Sequence, residues 1–211
     1  MKGIVYMDSI IFDVDGTLWD STHVIAKAWD KIVKEKYDRN INLTSDTLKP
    51  LFGKLLPDIA KALFVNMPEK QQLELIEECC EAEHKALLAT PPEVYGGLED
   101  TLKQLSAKYP LYIVSNCQAG YIEVFLKATG FGCYFKDHLC PGDTGLPKAD
   151  NIKEIIRRNH LQDAVYVGDT MGDWHAAKAA GVPFIFASYG FGQVETPDHT
   201  ISKPLDLLKI C

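Results

Sequence analysis

Long apolar runs are absent from this 211-residue chain. A helix needs roughly 20 consecutive apolar residues to cross a bilayer, so no membrane partner is expected. A basic excess is absent too: 22 Lys and Arg stand against 29 Asp and Glu, a formal charge of −7. Nucleic acid and anionic membranes both select basic surfaces, so neither is an expected partner. A small anionic ligand stays possible if a metal ion or a placed lysine reverses the sign locally. Cysteine pairs of the Cys-x-x-Cys kind are missing as well. Cys79, Cys80, Cys117, Cys133, Cys140 and Cys211 follow no zinc spacing, and they read as reduced, mostly core residues. The stretch from Met1 to Asp8 is too short before its first acid for a secretion signal, so a cytoplasmic protein is expected, with Met7 a second candidate start beside Met1. Neither an internal repeat nor a low-complexity tract is present.

What is there is ordinary globular composition, 46% hydrophobic and 24% charged, arranged in a recognisable order. Ser9 to Asp13, Leu111 to Ser115, Ala164 to Asp169 and Pro183 to Ala187 are short apolar runs without alternation, and Phe135 to Leu139 is a weaker fifth. Such runs form strands buried on both faces, hence a mainly parallel sheet covered by helices. Helical spacing fills the gaps: Gly97 to Tyr109, Ala119 to Thr129, Ala149 to Asn159 and Gly172 to Ala180. The pattern predicts an α/β fold with a Rossmann-like parallel sheet. Residues 21–90 interrupt it with helical stripes only, around Val24 to Val33, Pro57 to Phe64 and Pro68 to Ala89. They are expected to form a helical domain inserted into a core made of residues 1–20 and 91–211.

Asp13, Ser115 and Asp169 each close a buried strand at its carboxyl end, the edge where open parallel sheets bind ligands. Asp15 and Asp173 add acids nearby. Turn-forming would account for any one of these residues alone, but not for all of them together. Strand alternation points Asp13 and Asp15 to the same side, and Gly16 lets the chain turn away at once. Carboxylates gathered in one cleft repel, and a divalent cation resolves the conflict. Mg2+ suits it, because it prefers carboxylate, carbonyl, water and phosphate oxygens.

Four motifs occur in order: Asp13-Val14-Asp15-Gly16-Thr17, Ser115-Asn116, Lys148, and Gly168-Asp169-Thr170-Met171-Gly172-Asp173. Together they resemble the haloacid dehalogenase superfamily of phosphatases over essentially the whole chain, with residues 21–90 in the place of that family's C1-type cap. The resemblance implies a magnesium-dependent phosphomonoester hydrolase acting on a small phosphorylated metabolite. Asp13 would be the nucleophile forming an aspartyl-phosphate, and Asp15 the general acid/base. Asp13, the Asp15 carbonyl, Asp169 and Asp173 would surround Mg2+, while Ser115, Asn116 and Lys148 would hold the phosphoryl group. An acid at Asp15 favours transfer to water, since the superfamily's dehalogenases and ion pumps do without one.

Within the superfamily the chain looks most like the phosphoglycolate phosphatase group. It departs from that group at Trp19, where a smaller aliphatic residue is usual, and at Ala149, where proline often follows the lysine. Lys54, in Leu51-Phe52-Gly53-Lys54, is a candidate for binding a second anionic group of the substrate, and His23 has similar standing. His84 and the run Glu74 to Glu83 read as a solvated helix face. A sugar-phosphate mutase of the β-phosphoglucomutase type shares every motif residue and is the alternative enzyme. A receiver-like signalling module or a non-catalytic binding protein is the remoter alternative, since receivers lack the helical insert.

Overall fold

The computed structural model describes residues 6–37 and 41–211; the candidate start at Met1 lies outside the described residues. Six strands form one sheet, all paired in parallel: β1 (Ser9–Phe12), β2 (Leu111–Val114), β3 (Phe135–Leu139), β4 (Ala164–Gly168), β5 (Phe184–Ala187) and β6 (His199–Ile201). Their order is β3-β2-β1-β4-β5-β6. The chain therefore builds outward from β1 to β3, then crosses back to lay β4 on the other flank of β1. Ligands in sheets of this kind sit at the carboxyl ends of the strands flanking that reversal. Here those strands are β1 and β4, in register from Ser9↔Ala164 to Phe12↔Val167.

The central strands are apolar but for Ser9 because both faces are covered: every residue of β1, β2, β4 and β5 is buried. Among the described residues, the helices outside the 21–90 segment are α5 (Leu98–Ser106), α6 (Tyr121–Thr129), the short α7 (Pro141–Thr144), α8 (Lys148–Arg158) and α9 (Met171–Ala180), numbered after those within it. Gly130 and Gly181 end α6 and α9 in the left-handed conformation that glycine adopts without strain. The sixth strand was not expected. Its three residues, His199, Thr200 and Ile201, carry no apolar run, and pairing with β5 alone makes it a strand.

Residues 21–90 hold α1 (Thr22–Tyr37), α2 (Ser45–Leu48), α3 (Leu56–Leu63) and α4 (Glu69–Ala89), and no strand among the described residues. The entry and exit of this segment lie side by side, since Trp19 bridges Val94 and Tyr95 N–H donates to Leu18 O at 3.4 Å. Among the described residues, no helix is long and apolar enough to cross a membrane.

The helical segment corrects one expectation. The acidic run on α4 is not wholly a solvated face, because Glu83 is only 2% exposed. Leu75, Cys79, Glu83 and Leu87 recur every fourth residue and share the buried stripe of α4. His84 is half-buried rather than solvated, 3.0 Å from the Gln118 amide nitrogen and beside the Tyr121 ring.

Candidate active site

Asp13 follows the last residue of β1 and Asp169 the last of β4, so adjacent parallel strands deliver them to one point. Asp173 comes from the first turn of α9, and Lys148 is the first residue of α8. One carboxylate oxygen from each of Asp13, Asp169 and Asp173 lies within 4.8 Å of the others. Lys148 Nζ donates to Asp13 Oδ1 at 2.8 Å and to Asp173 Oδ1 at 2.5 Å, with all three side chains buried. Burial opposes its charge, but Asp13 and Asp173 outweigh that and hold the ammonium well above its ordinary pKa.

Backbone amides and one hydroxyl fix the acids further. Asp173 Oδ2 accepts from Thr170 N–H at 2.9 Å and Thr170 Oγ1 at 2.7 Å, within a capping box that starts α9. Asp169 Oδ2 accepts from Phe191 N–H at 2.7 Å. Gly16 (φ +81°) turns the chain over Asp169 so closely that a Cβ there would lie 2.1 Å from Asp169 Oδ2. Glycine is required at that position for space as well as for conformation.

Electrostatically the cluster is one cation short. Three buried carboxylates face a single lysine, and burial, helped by the charges of Asp173 and Asp13, pushes Asp169 well above its usual range. Burial also raises Asp13 to about 6, against the opposing pull of Lys148. A donor set of carboxylate oxygens with an unbalanced negative charge fits a hard divalent cation.

Asp15 is held differently. Its Oδ1 accepts three hydrogen bonds, from Ser21 Oγ at 2.5 Å, Tyr121 OH at 2.7 Å and Trp19 Nε1 at 3.0 Å. Burial raises its pKa to about 7, and these donors pull the other way. The three residues that fix Asp15 were not singled out as functional from the sequence. Trp19 carried a signal, as a bulky residue where the resembled group has a small one. It is fully buried, edge-on to Phe125 with ring centres 5.0 Å apart.

Ser115 follows β2 and is buried, and its side chain pulls the Asp13 pKa downward. Asn116 sits beside it, with Nδ2 donating to Gly53 O at 2.8 Å and a buried Oδ1 that has no partner. The Phe52–Gly53 backbone of the helical segment therefore touches the sheet edge directly. Lys54 does not join it: the residue is exposed and lines a separate crevice with Lys49, Thr170 and Phe191. His23 is exposed as well. The structure thus gathers Asp13, Asp15, Ser115, Asn116, Lys148, Asp169 and Asp173, and leaves Lys54 and His23 outside.

Comparison with known proteins agrees with this geometry. A family model described as haloacid dehalogenase-like hydrolase matches residues 10–187. The chain is similar to the phosphoglycolate phosphatase of Aquifex aeolicus, 30% identical with 97% of this chain and 96% of that protein covered. It is 27% identical to the phosphoglycolate phosphatase of Synechococcus elongatus, with 96% of each covered. Among solved structures, a haloacid dehalogenase-like family hydrolase from Streptococcus pneumoniae superposes with a TM-score of 0.83 at 24% identity, covering 96% of this chain and 97% of that one. That likeness speaks to the fold.

Proposed function

The chain belongs to the haloacid dehalogenase-like hydrolases, and from that premise we propose that it is a phosphatase that cleaves small phosphate monoesters through an aspartyl-phosphate at Asp13. The observation that carries this reading is the convergence of Asp13, Asp169, Asp173 and Lys148 at one sheet edge, with Asp15 two residues from the nucleophile. The names of the curated relatives support the reaction class.

In the first step an Asp13 carboxylate oxygen attacks phosphorus and the bond to the alcohol oxygen breaks. Asp15 passes its proton to that oxygen as it leaves. A pKa near 7 keeps a large share of Asp15 protonated at neutral pH, as this role requires. In the second step water attacks the phosphorus of the aspartyl-phosphate, Asp15 takes the water's proton, and Asp13 is regenerated with release of phosphate. Lys148 supplies fixed positive charge beside the reacting centre, and Ser115 with the Asn116 amides would hold phosphoryl oxygens. Asp13, the Asp15 carbonyl, Asp169 and Asp173 would hold Mg2+, which when bound offsets charge between nucleophile and phosphate.

Residues 21–90 act in this reading as a cap over a core of residues 1–20 and 91–211. The cavity between them, bordered by Asp15, Tyr121 and the Phe52–Gly53 backbone, is about 30 Å³. That is room for about two water molecules, so a substrate enters only if the cap moves. The direct test is phosphate release from a panel of phosphorylated metabolites with Mg2+ and with chelator. Turnover should require the metal, and equal turnover in chelator would overturn the metal assignment.

A further inference from the structure

Glu83 is a buried acid that the proposed mechanism does not use. It reaches from α4 to the same cavity that Asp15 borders. Its Oε2 accepts from Trp29 Nε1 at 2.6 Å, and its Oε1 accepts from Gln118 Nε2. Both oxygens therefore face N–H donors, the arrangement that suits an ionised carboxylate. Buried carboxylates are ordinarily paired with a cation, yet among the described residues no lysine, arginine or histidine lines this cavity. The neighbouring base, His84, stands behind Gln118, and burial lowers its pKa, which keeps it neutral. Lys49 and Lys54 lie in the other crevice, where Lys49 is paired with Asp20 at 3.0 Å.

The cavity wall therefore carries two acids, Asp15 and Glu83, and no base. Trp29, Phe52 and Tyr121 border the cavity beside these acids, and aromatic rings attract ammonium groups. The closed volume of about 30 Å³ is too small for any ester, so an occupant meets this wall once the cap has opened and is selected by its charge. Burial pushes Glu83 up to about 8, and a cation beside it would hold it ionised.

We propose that the leaving-group side of this site takes phosphate monoesters of small amino alcohols, whose ammonium group supplies the positive charge that Glu83 lacks. The same wall disfavours an alcohol bearing a carboxylate, so 2-phosphoglycolate is a poor substrate despite the names of the relatives. This inference rests on the phosphatase reading above. It assigns Glu83 to substrate binding and selectivity, with the bond cleavage left to Asp13 and Asp15.

The test is kcat/KM for phosphate release from three esters of matched length: 2-aminoethyl phosphate, 2-hydroxyethyl phosphate and 2-phosphoglycolate, with an aryl phosphate alongside. The aminoethyl ester should exceed phosphoglycolate by about tenfold or more, the scale of one charge contact at a partly buried site. Glu83→Gln, which keeps the size of the side chain, should shrink that ratio by a similar factor. Equal or better use of phosphoglycolate by the unmutated protein would overturn the inference while leaving the phosphatase intact. An unchanged ratio in a Glu83→Gln protein with native circular dichroism would overturn it also, reducing Glu83 to a structural bridge between Trp29 and Gln118. If that variant does not fold, the ratio in the unmutated protein decides. Absence of phosphate release from all four esters would remove the phosphatase reading and this inference with it.

Discussion

At the scale of single residues, the side chains around the nucleophile are held by opposed demands. Lys148 is buried because two carboxylates compensate its charge, while burial pushes Asp13 and Asp169 upward and one lysine among three acids does not offset it. Glu83 shows the cost of a buried acid most plainly, since its partners are neutral. Its pKa is raised from 4.5 to about 8, so the folded protein keeps a proton that the unfolded chain releases between those values. Its contribution to stability is therefore fullest below pH 4.5 and is lost as pH rises through 8. Glu83→Gln should raise the melting temperature of the ligand-free protein little at pH 5 and more at pH 9, by the equivalent of up to about 4 kcal/mol. Thermal unfolding across that range checks it, and an increment that does not grow with pH would count against a buried, unpaired Glu83. Composition marked the acids of α4 as a wet face. The four-residue recurrence of Leu75, Cys79, Glu83 and Leu87 places one of them among the buried residues.

At the scale of elements, the site depends on where strands stop and helices start. Asp13 and Asp169 meet because β1 and β4 are neighbours in register, and Asp173 meets them because Thr170 starts α9 with a reciprocal cap. Thr170→Ala should cost about 1 kcal/mol in chemical denaturation through the lost cap. It should also lower kcat, because Asp173 loses the hydroxyl that fixes its Oδ2. Loss of stability with unchanged kcat would separate the cap from the chemistry. Much at this level was legible in the sequence. Apolar runs marked four strands and Phe135 to Leu139 a weaker fifth, and Asp13, Ser115 and Asp169 at strand ends marked the site. β6 was illegible because three residues at a sheet edge need no hydrophobic pattern, only a partner. The short α2, four residues with its own Thr44 cap, left too little periodicity to read. The fixing of Asp15 by Trp19, Ser21 and Tyr121 was also out of reach, because Tyr121 arrives from α6, more than 100 residues along the chain.

At the scale of the molecule, the helical segment hangs on two adjacent chain crossings at Trp19 and Val94, and touches the sheet edge through Gly53 and Asn116. Two crossings side by side make a hinge geometrically simple, and in the proposed reading the segment opens over the small cavity to admit substrate. Leu55 of the segment and Ala119 beside the sheet edge border one crevice. A cleavable thiol cross-linker joining Leu55→Cys to Ala119→Cys should abolish turnover, with recovery once the linker is cut. Turnover undiminished in the cross-linked protein would show that the segment need not move.

The central claim is that Asp13 carries the phosphoryl group. Rapid acid quenching during turnover, followed by mass spectrometry of the peptide containing Asp13, tests it most directly. The account predicts one phosphoryl group on Asp13 in the unmutated enzyme, and neither that adduct nor turnover in Asp13→Asn. Phosphate release by Asp13→Asn at the unmutated rate would contradict it.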